Sequence, residues 1–107
     1  MVLRSFKDFE KREGEIRRYL LENGVASEDI EHVLNCCKNM VADVFGVFKA
    51  GGFISAVLED SLTGAVFNAD SVNQKYLKQY LWFRMNWLPW QKIVERNEKR
   101  RREIREV

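Results

Sequence analysis

Reactive side chains are scarce in this sequence. Its 107 residues include one histidine, His32, and two cysteines, the neighbours Cys36 and Cys37. Adjacent cysteines rarely bridge each other, so no disulfide framework is expected and a reducing, cytoplasmic setting fits best. Zinc would lack soft ligands, and Asp60 with Asp70 alone would leave a harder cation under-coordinated. Without a nucleophile–base pair or a metal cluster, an enzyme is the least favoured class, and no cofactor is expected.

Targeting signals and membrane segments are lacking as well. Residues Met1–Asp8 are charged and do not contain the apolar stretch of a signal peptide. No apolar run is long enough to span a bilayer, so no membrane partner is expected. No lysine follows Gly51-Gly52 at the spacing of a P-loop, which argues against a nucleoside triphosphatase.

What the sequence does contain is typical of one folded domain, residues 1–107. Hydrophobic residues make up 46% of the chain and charged residues 32%, as in ordinary soluble proteins. The net charge of +2 is unevenly spread: residues 25–75 carry a net −4, and residues 92–107 carry a net +3. This layout supports association between copies through opposite charges, and it equally fits a solvated surface.

Apolar periodicity predicts an all-α fold. One proline and six glycines, placed mostly between periodic segments, favour helices joined by short turns. We expect a small helical bundle with a long N-terminal helical hairpin (1–50), short helices (51–89) and a charged C-terminal helix (90–107). The predicted helices cover residues 5–23, 27–50, 53–59, 62–67, 70–88 and 90–106. Ser5, Ser27, Ser61 and either Asp70 or Ser71 are the expected caps, and Gly24, Gly51-Gly52 and Pro89 are the expected stops.

An ordered set of short motifs occupies residues 51–89. In chain order they are Gly51-Gly52-Phe53, Ala56-Val57-Leu58, Asp60-Ser61-Leu62, Ala65, Ala69-Asp70, Asn73, Leu77, Asn86 and Pro89. This order resembles a group of short phage and prophage proteins of largely unassigned function. The chain departs from that group at Asp60-Ser61, where the group has Asn-Asp, and after Pro89, where the group has Trp-Gly-Ser. The resemblance implies a phage or mobile-element origin.

Eight residues are candidates for binding a ligand. Backbone N–H groups after Gly52 suit a phosphate, although a helix end followed by packing of Phe53 is the favoured explanation of the glycines. Asp70 is either a ligand contact or a helix cap, whereas Asn73 lies inside a helix where nothing local requires it. Aromatic rings beside an arginine suit a nucleobase, and they also suit a core. The candidates are Gly51, Gly52, Phe53, Asp70, Asn73, Tyr80, Arg84 and Trp87.

Two further features bear on partners. The seven phenylalanines, three tyrosines and three tryptophans are more than a chain of this size buries easily, which favours a homo-oligomer. The end of the chain is basic, with Arg96, Lys99, Arg100, Arg101, Arg102 and Arg105. That stretch suits a phosphate backbone, but interleaved glutamates favour a solvated helix.

The leading hypothesis is a non-enzymatic phage or prophage accessory protein. It forms an oligomer and binds a nucleotide-derived signal or a host defence protein to counter bacterial defence. One alternative is a nucleic-acid-binding regulatory protein that uses the basic C-terminal helix. Another alternative is a structural phage component.

Overall fold

The computed structural model describes residues 2–105, with side chains through residue 104. Within this range the chain forms eight α-helices and no β-strand, which confirms the predicted all-α helical bundle. Every described helix is too short or too polar to cross a lipid bilayer. The helices are α1 (Phe6–Lys11), α2 (Glu13–Glu22), α3 (Ile30–Val44), α4 (Gly52–Leu58), α5 (Leu62–Asn68), α6 (Ser71–Lys75), α7 (Leu77–Trp87) and α8 (Trp90–Arg105).

Helix α3 is the centre of the fold and packs against α1, α2, α4, α6 and α8. Its apolar residues recur every three or four positions, so one face is buried continuously. Val33, Cys37 and Val41 on that face are fully buried. Helix α4 contacts α3, α5 and α7, and thereby links the central helix to the second half of the chain.

Glycines in left-handed backbone end α2 and α3. Gly24 has φ +100° and follows α2 as expected. Helix α3, however, ends at Val44 and not near Ala50, because Gly46 adopts φ +75°. The amide of Val47 donates to Ala42 O at 2.8 Å, and that of Gly46 donates to Asp43 O at 3.1 Å. These are the two bonds of a Schellman motif, which closes the helix and releases residues 45–51 as a connecting segment.

The remaining caps follow local chemistry. Ser5, Ser61 and Asp70 each accept a backbone N–H in the first turn of their helices, as predicted. Ser27 is not a cap; α3 begins at Ile30, three residues after Ser27, with Asp29 at the N-cap position. The side chain of Asp29 instead accepts a 2.7 Å hydrogen bond from the hydroxyl of Tyr76.

Two predicted long helices are each divided in the structure. The first breaks at Arg12, two residues before Gly14. The other breaks at Tyr76, whose buried hydroxyl accepts the Ala26 N–H as well as bonding Asp29. These hydrogen bonds to the segment before α3 set the direction of α7. Glu106, which was assigned to the last helix, lies outside the described residues.

Candidate functional site

The predicted ligand-binding residues do not come together in one place. Some form a buried polar contact between α6 and α7, where the Tyr80 hydroxyl donates to Asn73 Oδ1. Tyr80 is 0% exposed, Asn73 is 8% exposed, and the buried Phe53 ring packs edge-on to Tyr80 at 5.4 Å between centroids. Asp70 accepts the Asn73 N–H at 2.7 Å and serves as the α6 cap. Asn73 therefore has a structural partner that its sequence position does not reveal.

Trp87 lies against the N-terminal helices. Its ring is 2% exposed, stacks with Phe83 and meets Tyr19 edge-on at 5.5 Å. The guanidinium of Arg12 covers it at 4.8 Å from the ring centroid. With both Tyr80 and Trp87 buried, the predicted aromatic face of α7 builds the core and does not present rings to a ligand.

Gly51 and Gly52 lie at the start of α4, and Arg84 lies at the other end of that helix. A Cβ on Gly52 would come 3.1 Å from the side-chain oxygen of Asn68, so the glycine allows α4 to approach the end of α5. Arg84 donates from Nε and Nη2 to Leu58 O at 3.4 and 3.3 Å. Arg84 therefore does not converge with Asn73, and the single pocket expected from these eight residues is not assembled.

Cys36, His32 and Asp70 form a cluster that resembles a catalytic constellation in residue types only. His32 Nε2 lies 3.2 Å from Asp70 Oδ2, and both side chains are about half exposed. Cys36 is buried, at 7% exposure. Burial raises the pKa of its thiol to about 11, so at neutral pH it stays protonated and is a poor nucleophile.

A buried ion pair joins α3 to α8. Arg96 donates from Nε to Asp43 Oδ1 at 2.8 Å and from Nη2 to Asp43 Oδ2 at 3.2 Å, a bidentate geometry. The two side chains are 7% and 6% exposed. Arg96 also donates to Glu59 at 3.2 Å and to Ser55, so α4 joins the same network.

The network is well satisfied around the guanidinium. Asp43 Oδ2 accepts the Ala50 N–H at 3.0 Å, and the Ser55 hydroxyl donates to Glu59 at 3.0 Å. Burial alone lowers the pKa of Arg96. The hydrogen bonds and negative charges of Asp43 and Glu59 have a larger, opposite effect, so the pKa is raised overall. The pair therefore stays charged and fixes the 45–51 segment against α8.

Beside this ion pair lies a cleft of 360 Å³, which we call the α8 cleft. One wall is the segment after α3, and the other is a face of α8. Its lining residues are Asp43, Val44, Phe45, Gly46, Phe48, Lys49, Lys92, Glu95, Arg96, Lys99, Arg100 and Glu103. Five of these are Lys or Arg and three are Asp or Glu, so the cleft has a positive surplus.

Most charges in the α8 cleft are paired, but two cations are not. Lys49 Nζ meets Glu103 Oε2 at 2.7 Å, and Lys92 lies 3.6 Å from Glu95. Among the described side chains, Lys99 and Arg100 make no ion pair within 4.0 Å. The hydrogen bond from Lys49 lowers the pKa of Glu103, and the nearby charges of Lys99 and Arg100 add to this effect.

Sequence reasoning missed the acidic half of this site. Asp43 lies two residues after Val41, on the side of α3 away from the apolar stripe, so helical periodicity does not predict its burial, which comes from the packing of α8. Arg96 was assigned only to a basic, solvated end.

No family model, curated protein or solved structure matches the chain.

Proposed function

We propose that this chain is a non-enzymatic binding protein whose α8 cleft takes a phosphate-bearing ligand of the nucleotide type. The observation that supports this most is the pair of cations, Lys99 and Arg100, which line the cleft and make no ion pair with another described side chain. An arginine fork and a lysine ammonium are the groups that proteins use most to hold phosphate. The volume of 360 Å³ falls within the range of small-molecule sites, roughly 300–1,000 Å³.

The ring of Phe48 supplies the other half of a nucleotide's chemistry. Phe48 is 47% exposed at the cleft wall. An exposed aromatic face beside cations suits a planar base stacked above it and a phosphate held below. The cleft is therefore a better candidate than the α6–α7 contact, whose rings are buried.

The resemblance of residues 51–89 to short phage and prophage proteins supports a phage setting for this binding. In that setting the protein is a phage or prophage accessory protein that acts in the host cytoplasm and associates with copies of itself. It sequesters a nucleotide-derived signal and so removes it from a bacterial defence pathway. A host defence protein is the alternative target in the same setting.

Calorimetric titration tests the ligand class. The purified chain is titrated with a panel of cyclic nucleotides and ADP-ribose-type nucleotides, and we expect saturable heat with at least one of them. Lys99→Gln should then weaken binding about tenfold or more, since a hydrogen bond to a charged group contributes about 1.5–3 kcal/mol. Absence of heat across the panel contradicts the proposal.

Arg101→Gln is the matched control for Lys99→Gln. Arg101 is an exposed cation on the same helix that does not line the cleft, because positions two residues apart do not share a helix face. Both variants lose one positive charge, but only Lys99→Gln should lose affinity. Equal losses would show that binding follows the charge of α8 and not the cleft.

Equal losses of affinity in Lys99→Gln and Arg101→Gln would favour nucleic-acid binding. Residues Trp90–Arg105 carry seven Lys/Arg against three Glu, a net charge of +4. Binding to a phosphate backbone predicts affinity that falls steeply with salt and a smaller salt dependence after either substitution. Salt-independent binding of an oligonucleotide, or none at low salt, would exclude this second candidate.

A further inference from the structure

A second concave surface lies between α7 and α8. Leu81, Met85, Leu88, Trp90 and Ile93 form a groove of 400 Å³, with Asp60 and Arg84 as its charged residues. A smaller apolar depression shares Asp60 and Leu81 with this groove and extends to Leu62 on α5. We call the continuous area defined by Asp60, Leu62, Leu81, Arg84, Met85 and Trp90 the α5–α7–α8 surface.

The exposed apolar side chains of this surface are large. Leu62, Met85 and Trp90 are 68%, 69% and 68% exposed. Together they present on the order of 400 Å² of mostly apolar surface, which is already near the largest patch of a typical monomer. A standard interface buries about 800 Å² from each partner and is apolar over somewhat more than half of that area. The surface therefore offers most of the apolar centre that one such interface needs.

Two charged residues of the surface make it complementary to itself. Asp60 is exposed and makes no ion pair within the described part of the chain. Among the described residues, the Arg84 guanidinium donates hydrogen bonds to one uncharged carbonyl, Leu58 O, and it lies 5.9 Å from the Trp90 ring centroid. In a two-fold interface every contact occurs twice, so an Arg84–Asp60 contact between copies would form twice.

We propose that the α5–α7–α8 surface is the interface of a symmetric homodimer. A second copy supplies both the apolar area and the opposite charge at the required positions, without a foreign partner. The inference deepens the self-association that is part of the proposed function. It does not use the α8 cleft, whose lining residues are all different from those of this surface.

Sedimentation velocity over a wide range of protein concentration tests the inference. The wild-type chain should move from 12.7 kDa toward twice that mass as concentration rises. Met85→Glu should weaken the dimer about a hundredfold or more, because the symmetry buries the introduced carboxylate twice. Val47→Glu is the control, since Val47 is 55% exposed but lies in the segment after α3. Far-UV circular dichroism checks that both variants are folded.

A charge reversal provides a second test of the same interface. Asp60→Lys should weaken the dimer, and adding Arg84→Glu should restore it, which a merely structural defect would not do. A monomer at all concentrations, a dimer that survives Met85→Glu, or equal losses from Met85→Glu and Val47→Glu would overturn the inference. Nucleotide binding measured on Met85→Glu keeps the two proposals separate, because the cleft is intact in that variant.

Discussion

Replacing Arg96 with methionine should destabilise the fold severely. Methionine keeps much of the length of the side chain but leaves the Asp43 carboxylate buried at 6% exposure with only the Ala50 N–H. Removing one partner of a buried ion pair costs about 3–5 kcal/mol. A domain of this size has a total stability of about 5–15 kcal/mol, so the loss is a large fraction of the whole.

Urea denaturation followed by circular dichroism measures this loss. With an m value of ~2 kcal/mol/M, the midpoint should fall by about 2 M. Arg101→Met removes an exposed cation from the same helix and should change stability by less than about 0.5 kcal/mol. Glu59→Gln should cost less than about 1 kcal/mol, because the Glu59 side chain is 40% exposed and water screens it.

A double variant separates charge from packing. In Asp43→Asn/Arg96→Met no buried charge remains, and the asparagine oxygen still accepts the Ala50 N–H. We therefore expect the double variant to be more stable than Arg96→Met alone. A loss below about 1 kcal/mol for Arg96→Met, or a double variant less stable than the single one, would refute this reasoning.

Three smaller predictions follow from local geometry. Gly46→Ala should destabilise the fold by about 1–2 kcal/mol because Gly46 has a left-handed backbone, whereas Gly14→Ala in α2 should stabilise it by up to about 1 kcal/mol. Neither new Cβ would have a neighbour within 4 Å, so the denaturant midpoints of the two variants compare backbone effects alone. Tyr80→Phe should cost about 1–3 kcal/mol by leaving the buried Asn73 oxygen without a donor, and a neutral result in thermal unfolding would contradict this. Cys36, with a pKa of about 11, should react with a disulfide reagent at least about a hundredfold more slowly in the folded than in the unfolded protein.

Local chemistry in the sequence was enough to place most helix ends. Ser61 and Asp70 act as caps, and the chain leaves the helical conformation at Leu88, immediately before Pro89. Gly46 was overlooked because Phe45 and Phe48 continue the apolar spacing of α3 beyond the point where the helix closes. Periodicity reports which residues share a face, but a Schellman closure depends on one residue adopting a left-handed conformation.

The candidate site was less predictable because it depends on tertiary contacts. The spacing of Tyr80 and Trp87 correctly places both on one face of α7, but spacing does not reveal what covers that face. Asp43 and Arg96 are 53 residues apart, and only the packing of α8 against α3 brings them together. The cleft next to them follows from that packing.

An amide NMR titration of the isotopically labelled chain with ADP-ribose as the probe tests most directly where a ligand binds. Occupancy of the α8 cleft predicts that the largest chemical-shift changes fall on residues 45–49 and 92–103. Changes centred on Gly51–Phe53 and on the stretch from Asn73 to Trp87, or none at saturating probe, would contradict the assignment of the cleft as the ligand site.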